Sequence, residues 1–311
     1  MRVVVALGGN ALLPPDGPEA VMAQQGAVHR AAKAIAAIAA HHAVVVTHGN
    51  GPQVGLLALQ ATAFRPRDPD PLDVLGAESE GLIGYMLERA LMAVLPGRRF
   101  ATLLTQVEVN PADPAFARPT TPVGPVYDPE KAARLAAEHH WVMGGGGERF
   151  RRLVPSPHPL RILEIETIRM LVERNVVVVC AGGGGIPVLL TTEGEIRGVD
   201  AVIDKDRSAA LLAEGLAADF LLILTDVDAV QAGWGTKSAR PIRRATTDRL
   251  RAMSFDPGSM GPKVEAACDF VERTGGTAAI GALDRAADVL RGVAGTAVVT
   301  GKGELDYRDG T

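Results

Sequence analysis

Short, wholly apolar runs alternate along this chain with longer stretches in which apolar residues return every third or fourth position. The runs at 2–7, 43–47, 176–180, 219–225, 277–280 and 296–300 predict buried strands, as does the more mixed segment 100–109 (Phe100, Thr102, Leu104, Gln106, Val107). Segment 19–41, with Val21, Val28, Ala32, Ile35 and Ile38 at helical spacing, predicts a helix. So do 52–63, 73–95, 162–174, 207–217 and 262–273. Strands apolar on both faces and separated by helices predict an α/β fold, a mainly parallel sheet covered on each side.

The rhythm fails between 110 and 159. Nine prolines fall there, with four consecutive glycines at Gly144–Gly147. That is too long for a plain loop in a compact domain. Phe116, Tyr127, Trp141 and Val142 supply apolar anchors, so the segment reads as an inserted subdomain or lid over the edge of the sheet.

Three strands end in glycine. Val3–Leu7 runs into Gly8-Gly9-Asn10, Val44–His48 into Gly49-Asn50-Gly51, and the strand from Val176 into Gly182-Gly183-Gly184-Gly185. A buried strand that stops at glycines, followed by a helix, offers backbone N–H groups to an anion. Three such turns suggest one anion site assembled from several strand ends.

Composition narrows the classes. With 311 residues, 47% of them hydrophobic, the chain can bury a large core as one domain or two lobes. A net charge of −4 without a basic block gives no field for nucleic acid or an anionic membrane. No apolar run reaches membrane-spanning length, and the N-terminus starts as a strand rather than a leader. Cys180 and Cys268 stand in no metal-ligand spacing and fit a reducing compartment; the expected location is cytoplasmic.

Only six of the 32 basic residues are lysines, yet two of them open helices beside glycine or aspartate. Asp204-Lys205-Asp206 sets two carboxylates around an ammonium at the start of one helix. Gly258-Ser259-Met260-Gly261-Pro262-Lys263 puts another lysine at a second helix start. Phosphoryl transfer needs positive charge on the moving group and precise positioning, with no covalent nucleophile. Thr225-Asp226-Val227-Asp228 ends a buried strand, where carboxylates often line a ligand crevice. The turn Gly49–Gly55 is a poor dinucleotide fingerprint, since its third glycine is one position late and no acidic residue follows at the usual distance. Gly295–Gly303 misses a Walker A loop by spacing, and it has glycine where Ser or Thr would be needed. His48 reads as a core histidine or an orienting group in its turn.

Taken in order, Ala6–Leu12, Thr47–Gly55, Pro71–Val74, Ile83–Tyr85, Thr105–Val107, Asp113–Phe116, Pro155–Pro157, Gly182–Pro187, Val202–Asp206 and Gly258–Lys263 closely resemble the carbamate kinases of the amino acid kinase family. The resemblance implies a three-layer α/β/α sandwich, usually a homodimer, and reversible transfer between ATP and carbamate. In fermentation the family runs toward ATP, from ADP and carbamoyl phosphate. It implies one domain over 1–311: an acceptor lobe at 1–200 carrying the protruding insertion 110–159, and a nucleotide lobe at 201–311. On this chain Lys205 and Lys263 would neutralise the phosphoryl group and Asp206 would hold them in place. Gly8, Gly9, Asn10, Gly49, Asn50, Gly51 and Thr121 would surround the substrate. Thr225, Asp226, Val227, Asp228, Met260, Gly261 and Lys263 would meet the nucleotide. Mg²⁺ is expected on the ATP or ADP phosphates, with no direct protein ligand.

Three positions depart from the family pattern. Thr121 replaces a lysine associated with the carbamoyl phosphate site, His158 replaces another lysine, and Glu80 stands where glutamine is common. The chain therefore keeps the family's chemical core and alters its lid. This leaves open a kinase of the same family acting on another small carboxylate, carbamate or phosphonate. Outside catalysis, the alternative is a nucleotide- or metabolite-binding sensor.

Overall fold

Six strands lie side by side and parallel. Thr277–Ala282, Phe220–Thr225, Arg2–Leu7, Ala43–His48, Val176–Val179 and Arg99–Thr102 follow in that spatial order. They form the centre of a ten-stranded sheet, extended by Thr296–Val299, which runs antiparallel to Thr277–Ala282, and by Arg240–Thr246 beyond it. The computed structural model describes residues 1–8 and 20–308, and in the first helix the side chains from 25 onward.

Alternation along each strand divides the core into two layers, because successive side chains point to opposite faces. Val4, Ala6, Val45, Val178, Leu221 and Ile223 pack beneath helices Ile165–Glu173, Lys205–Gly215 and Met260–Thr274. Val3, Val5, Leu7, Val46, Val179 and Leu222 pack against helices Ala20–Ala39, Leu72–Val94 and Ala286–Leu290. This is the sheet covered on both faces that the apolar runs predict, and the three-layer α/β/α sandwich that the resemblance implies.

Segment 100–109 is not one strand. Arg99–Thr102 closes the edge of the main sheet, while Gln106–Val109 belongs to a second, four-stranded sheet with Pro159–Ile162, Ile186–Leu190 and Ile196–Gly198. The switch lies at Leu103–Thr105: the Leu103 N–H still donates to Val179 O (2.9 Å), and the Thr105 carbonyl already accepts from Ile186 N (2.8 Å). Both halves are apolar and β-prone, so periodicity alone does not separate them. Helix Lys205–Gly215 also begins two residues earlier than expected, and the residues before it form no strand.

Within 110–159, as far as Val154, the chain folds a three-stranded antiparallel sheet of Thr121–Tyr127, Val142–Gly146 and Arg149–Val154, with helix Pro129–His139 packed on it, while Pro159 already opens a strand of the four-stranded sheet. The glycine run serves the hairpin: a Cβ on Gly144 would lie 2.3 Å from Leu153, and one on Gly145 2.2 Å from the Arg149 carbonyl. This small sheet stands on the helix Gly51–Phe64, where a Cβ on Gly55 would come within 3.3 Å of Gly124.

Candidate active site

Six parallel strands bring six carboxyl ends to one edge. The register aligns Leu7 with both His48 and Leu224, and Val46 with Val179, so the glycine turns that follow them meet. A cleft of about 1520 Å³ opens there, lined among others by Gly49, Asn50, Gly51, Thr121, Gly183, Lys205, Asp226 and Gly258.

The glycine turns use their N–H groups differently from the simple expectation. The Gly8 N–H donates to Leu224 O (2.8 Å) and the Gly49 N–H to Leu7 O (3.0 Å), so both extend the sheet ladder and are not free for an anion. Gly8 matters instead for closeness, since a Cβ there would press to 3.1 Å on the Leu224 carbonyl. The available donors begin at the helix Gly51–Phe64, whose N-terminus has no side-chain cap. Its Asn50 points elsewhere, donating to Ser79 Oγ (2.7 Å). Gly9 and Asn10 lie outside the described residues.

Only part of the four-glycine run faces the cleft. Gly182 and Gly184 are buried, while Gly183 lines the opening. Gly183 has φ +66°, and a Cβ on it would fall about 2.0 Å from the Asn50 amide. His48 and Glu80 occupy the space a Cβ on Gly182 would need and Asn50 that on Gly183, while Gly184 and Gly185 abut the Ile203 carbonyl and the Val107 side chain.

Lys205 and Lys263 converge. Both ammonium groups pair with the Asp206 carboxylate, Lys205 with Oδ1 and Lys263 with Oδ2 at 3.2 Å; Lys263 Nζ also donates to the Ser259 carbonyl (3.1 Å). Asp206 is only 2% exposed. Burial alone would raise its carboxyl, but the two lysines outweigh that and hold it below the usual carboxylate range. Asp204 does not share in the pair. It caps the helix, accepting from the N–H groups of Asp206 (2.9 Å) and Arg207 (3.0 Å), and burial beside Asp206 pushes its carboxyl up. Local sequence cannot separate two aspartates on either side of a lysine; the cap geometry does.

Of the nucleotide-side candidates, Asp226 reaches the cleft, and its carboxylate accepts only from Thr225 Oγ1 (3.0 Å) among the described residues. Thr225 is buried, Val227 is half-buried and Asp228 is exposed just beyond. Met260 packs against the core, and the Gly261 N–H donates to Asp256 O (2.8 Å) at the turn that starts helix Met260–Thr274. Asp256 shapes this turn, accepting from Gly258 N (3.0 Å) and Ser259 Oγ (2.8 Å). Sequence reading passed over Asp256, although an aspartate two residues before glycine is a turn signal.

The small sheet contributes two arginines that the sequence reading also missed. Arg149 and Arg151 lie two apart on one strand, hence on one face, and both line the cleft. Arg151 is held in place by donating Nε (3.0 Å) and Nη2 (2.7 Å) to the Gly124 carbonyl. His158 is exposed and outside this cleft, with its N–H on Asp113 Oδ2 (3.0 Å). Of Thr121 and His158, only Thr121 lines the opening. His48 is a core group: it is buried, it contacts the Gly49 carbonyl (3.1 Å), and burial lowers its pKa to about 4.

A family model for the amino acid kinase family matches residues 1–281. It belongs to that family. The chain is 51% identical over 310 residues to the carbamate kinase of Rhizobium meliloti (strain 1021), covering 99% of this chain and 96% of that one. It is 47% identical to the carbamate kinase of Haemophilus influenzae, covering 99% of each. Among solved structures, carbamate kinase from Giardia lamblia bound to AMP-PNP superposes with a TM-score of 0.90 at 40% identity, over 96% of this chain and 98% of that one.

Proposed function

We propose that this protein is a carbamate-kinase-type phosphotransferase, moving a phosphoryl group between carbamoyl phosphate and ADP. The observation that carries the reading is the pair of ammonium groups held on one buried carboxylate at the sheet edge. In the ATP-forming direction a terminal ADP oxygen attacks phosphorus, the bond from phosphorus to the carbamoyl oxygen breaks, and carbamate leaves as an anion. The attacking oxygen is already anionic and the leaving group is a carboxylate, so neither step needs a general acid or base. A neutral, buried His48 fits that demand.

Lys205 and Lys263 would supply charge to the equatorial oxygens as the transition state loosens. Asp206 would fix their separation, and the uncapped helix start at Gly51 would face the acyl phosphate. The 201–311 half would carry the nucleotide, with Asp226 and the Gly258–Gly261 turn beside it. The 110–154 subdomain would act as the lid, bringing Arg149 and Arg151 over the acceptor.

Mg²⁺ would enter on the nucleotide phosphates. Among the described residues no three His, Cys, Asp or Glu side chains group as a metal cage. Asp226, on the cleft wall, would meet the ion's water shell. Cys180 and Cys268 are buried, free thiols, which fits the cytoplasm, and a homodimer is the assembly we expect. Among the described residues no helix is long and apolar enough to cross a membrane.

A coupled assay for ATP formation from ADP and carbamoyl phosphate tests the reading. Mg²⁺-dependent ATP production supports it, and no ATP at saturating substrates refutes it. Thr121 on the cleft wall favours one second reading, a different small acid as acceptor. ADP release across a panel of carboxylates, carbamates and phosphonates would then show a better acceptor than carbamate.

A further inference from the structure

Behind the glycine turn lies a buried carboxyl group that the chemistry above does not use. Glu80, on helix Leu72–Val94, is 2% exposed. Its Oε1 accepts from the Gly182 N–H (2.6 Å) and its Oε2 from the Thr105 N–H (3.0 Å). One side chain thus ties the turn after the strand Val176–Val179 to the crossover where the chain leaves the main sheet. The neighbouring Ser79 is fully buried; it accepts from Asn50 Nδ2 and donates to the Gly76 carbonyl (2.8 Å). Asn50 in turn lies against Gly183. Two adjacent residues of a helix outside the cleft therefore place both glycine turns that line it.

We propose that Glu80 is a positioning residue whose charge state tunes phosphate binding: neutral, it holds the Gly182 turn in place behind Gly183 and the cleft, and ionised, it sets a buried negative charge behind the anion site. This rests on the phosphotransferase reading above.

The groups facing Glu80 do not neutralise it. His48 and the Glu80 side chain both crowd the Gly182 position, Glu164 adds like charge from the start of the next helix, and Cys180 is a buried thiol. Burial pushes the Glu80 carboxyl up to about 8 against the two backbone N–H bonds and the Thr105 contact, so its ionisation falls within the working range. A glutamine at this position has nearly the same shape and does not titrate there, which makes Glu80→Gln the matched comparison.

The sign follows from linkage. A carboxyl whose folded value is raised binds more protons folded than unfolded, so its contribution declines as pH rises toward the folded value. Wild type and Glu80→Gln are compared from about pH 6 to about pH 9.5, a window that spans the titration. Two readouts are taken: thermal melting, and KM for carbamoyl phosphate in the ATP-forming assay. The wild-type melting temperature should fall relative to Glu80→Gln from about pH 6 to about pH 8 and stay level above that, where the carboxyl is ionised both folded and unfolded. Wild-type KM should rise several-fold through about pH 8, and Glu80→Gln should remove that step. Glu80→Ala, which leaves both N–H groups unpaired, should lower kcat, with Glu80→Gln restoring most of it.

Parallel melting curves would overturn the buried titration. Superimposable KM profiles would overturn the control of phosphate binding. A wild-type enzyme that forms no ATP at any pH would overturn the substrate assignment instead, and the melting comparison would still decide whether Glu80 titrates in place.

Discussion

On the sheet side of the cleft the charges are few, buried and mutually fixed: Lys205 and Lys263 are each about one-seventh exposed and share a carboxylate that is itself sealed from solvent. On the lid side Arg149 is exposed, Arg151 is anchored to a carbonyl rather than a carboxylate, and Thr121 brings no charge at all. The first arrangement withholds its cations from water and holds their geometry before substrate arrives, the condition under which an electrostatic contact counts most in a transition state. The second leaves its cations open to water, so on the proposed reading they would contribute to capture and specificity.

The comparison breaks most visibly on the sheet side. Lys205→Ala or Lys263→Ala should lower kcat at least about a hundredfold, the scale of losing one preorganised donor, with smaller changes in KM. Near-normal turnover in either variant would remove the assigned role. Asp206→Ala should destabilise the fold by about 3–5 kcal/mol, because it leaves two partly buried ammonium groups facing one another; urea unfolding checks this. The Asp206 carboxyl is held below its usual range, so its stabilisation is present at neutral pH and is lost only as pH falls through the folded value.

Lid changes should be milder and appear in KM. Arg151→Gln should raise KM for carbamoyl phosphate about tenfold, the cost of a charged hydrogen bond, and leave ATP affinity unchanged. Thr121→Lys should lower KM by up to about fivefold, the scale of an exposed ion pair. A large kcat effect from either would mean that the lid shares in the chemistry and the two walls are not distinct.

Most of the sheet was legible because its strands are apolar on both faces, and that pattern has few other solutions. The break at Leu103–Thr105 was not, since there the chain changes strand partners and the Thr105 N–H goes to the Glu80 carboxyl, a contact between residues far apart in the chain. The strands Ile186–Leu190 and Arg240–Thr246 were also missed, being short or rich in arginine at the sheet's margins. In the site, Lys205, Lys263 and Asp206 were legible from helix starts and glycines. Arg149 and Arg151 were not, because only the hairpin register turns them toward the cleft. The free N–H groups expected at Gly8 and Gly49 were misread for a related reason: strand neighbours consume them.

The central claim is that two lysines act as one unit on a single migrating phosphoryl group. Its most direct test is a double-mutant cycle on kcat for ATP formation with Lys205→Ala, Lys263→Ala and the double variant. Residues that work as a unit lose function together, so the double variant should fall little below the weaker single one. Losses that multiply independently would contradict the account.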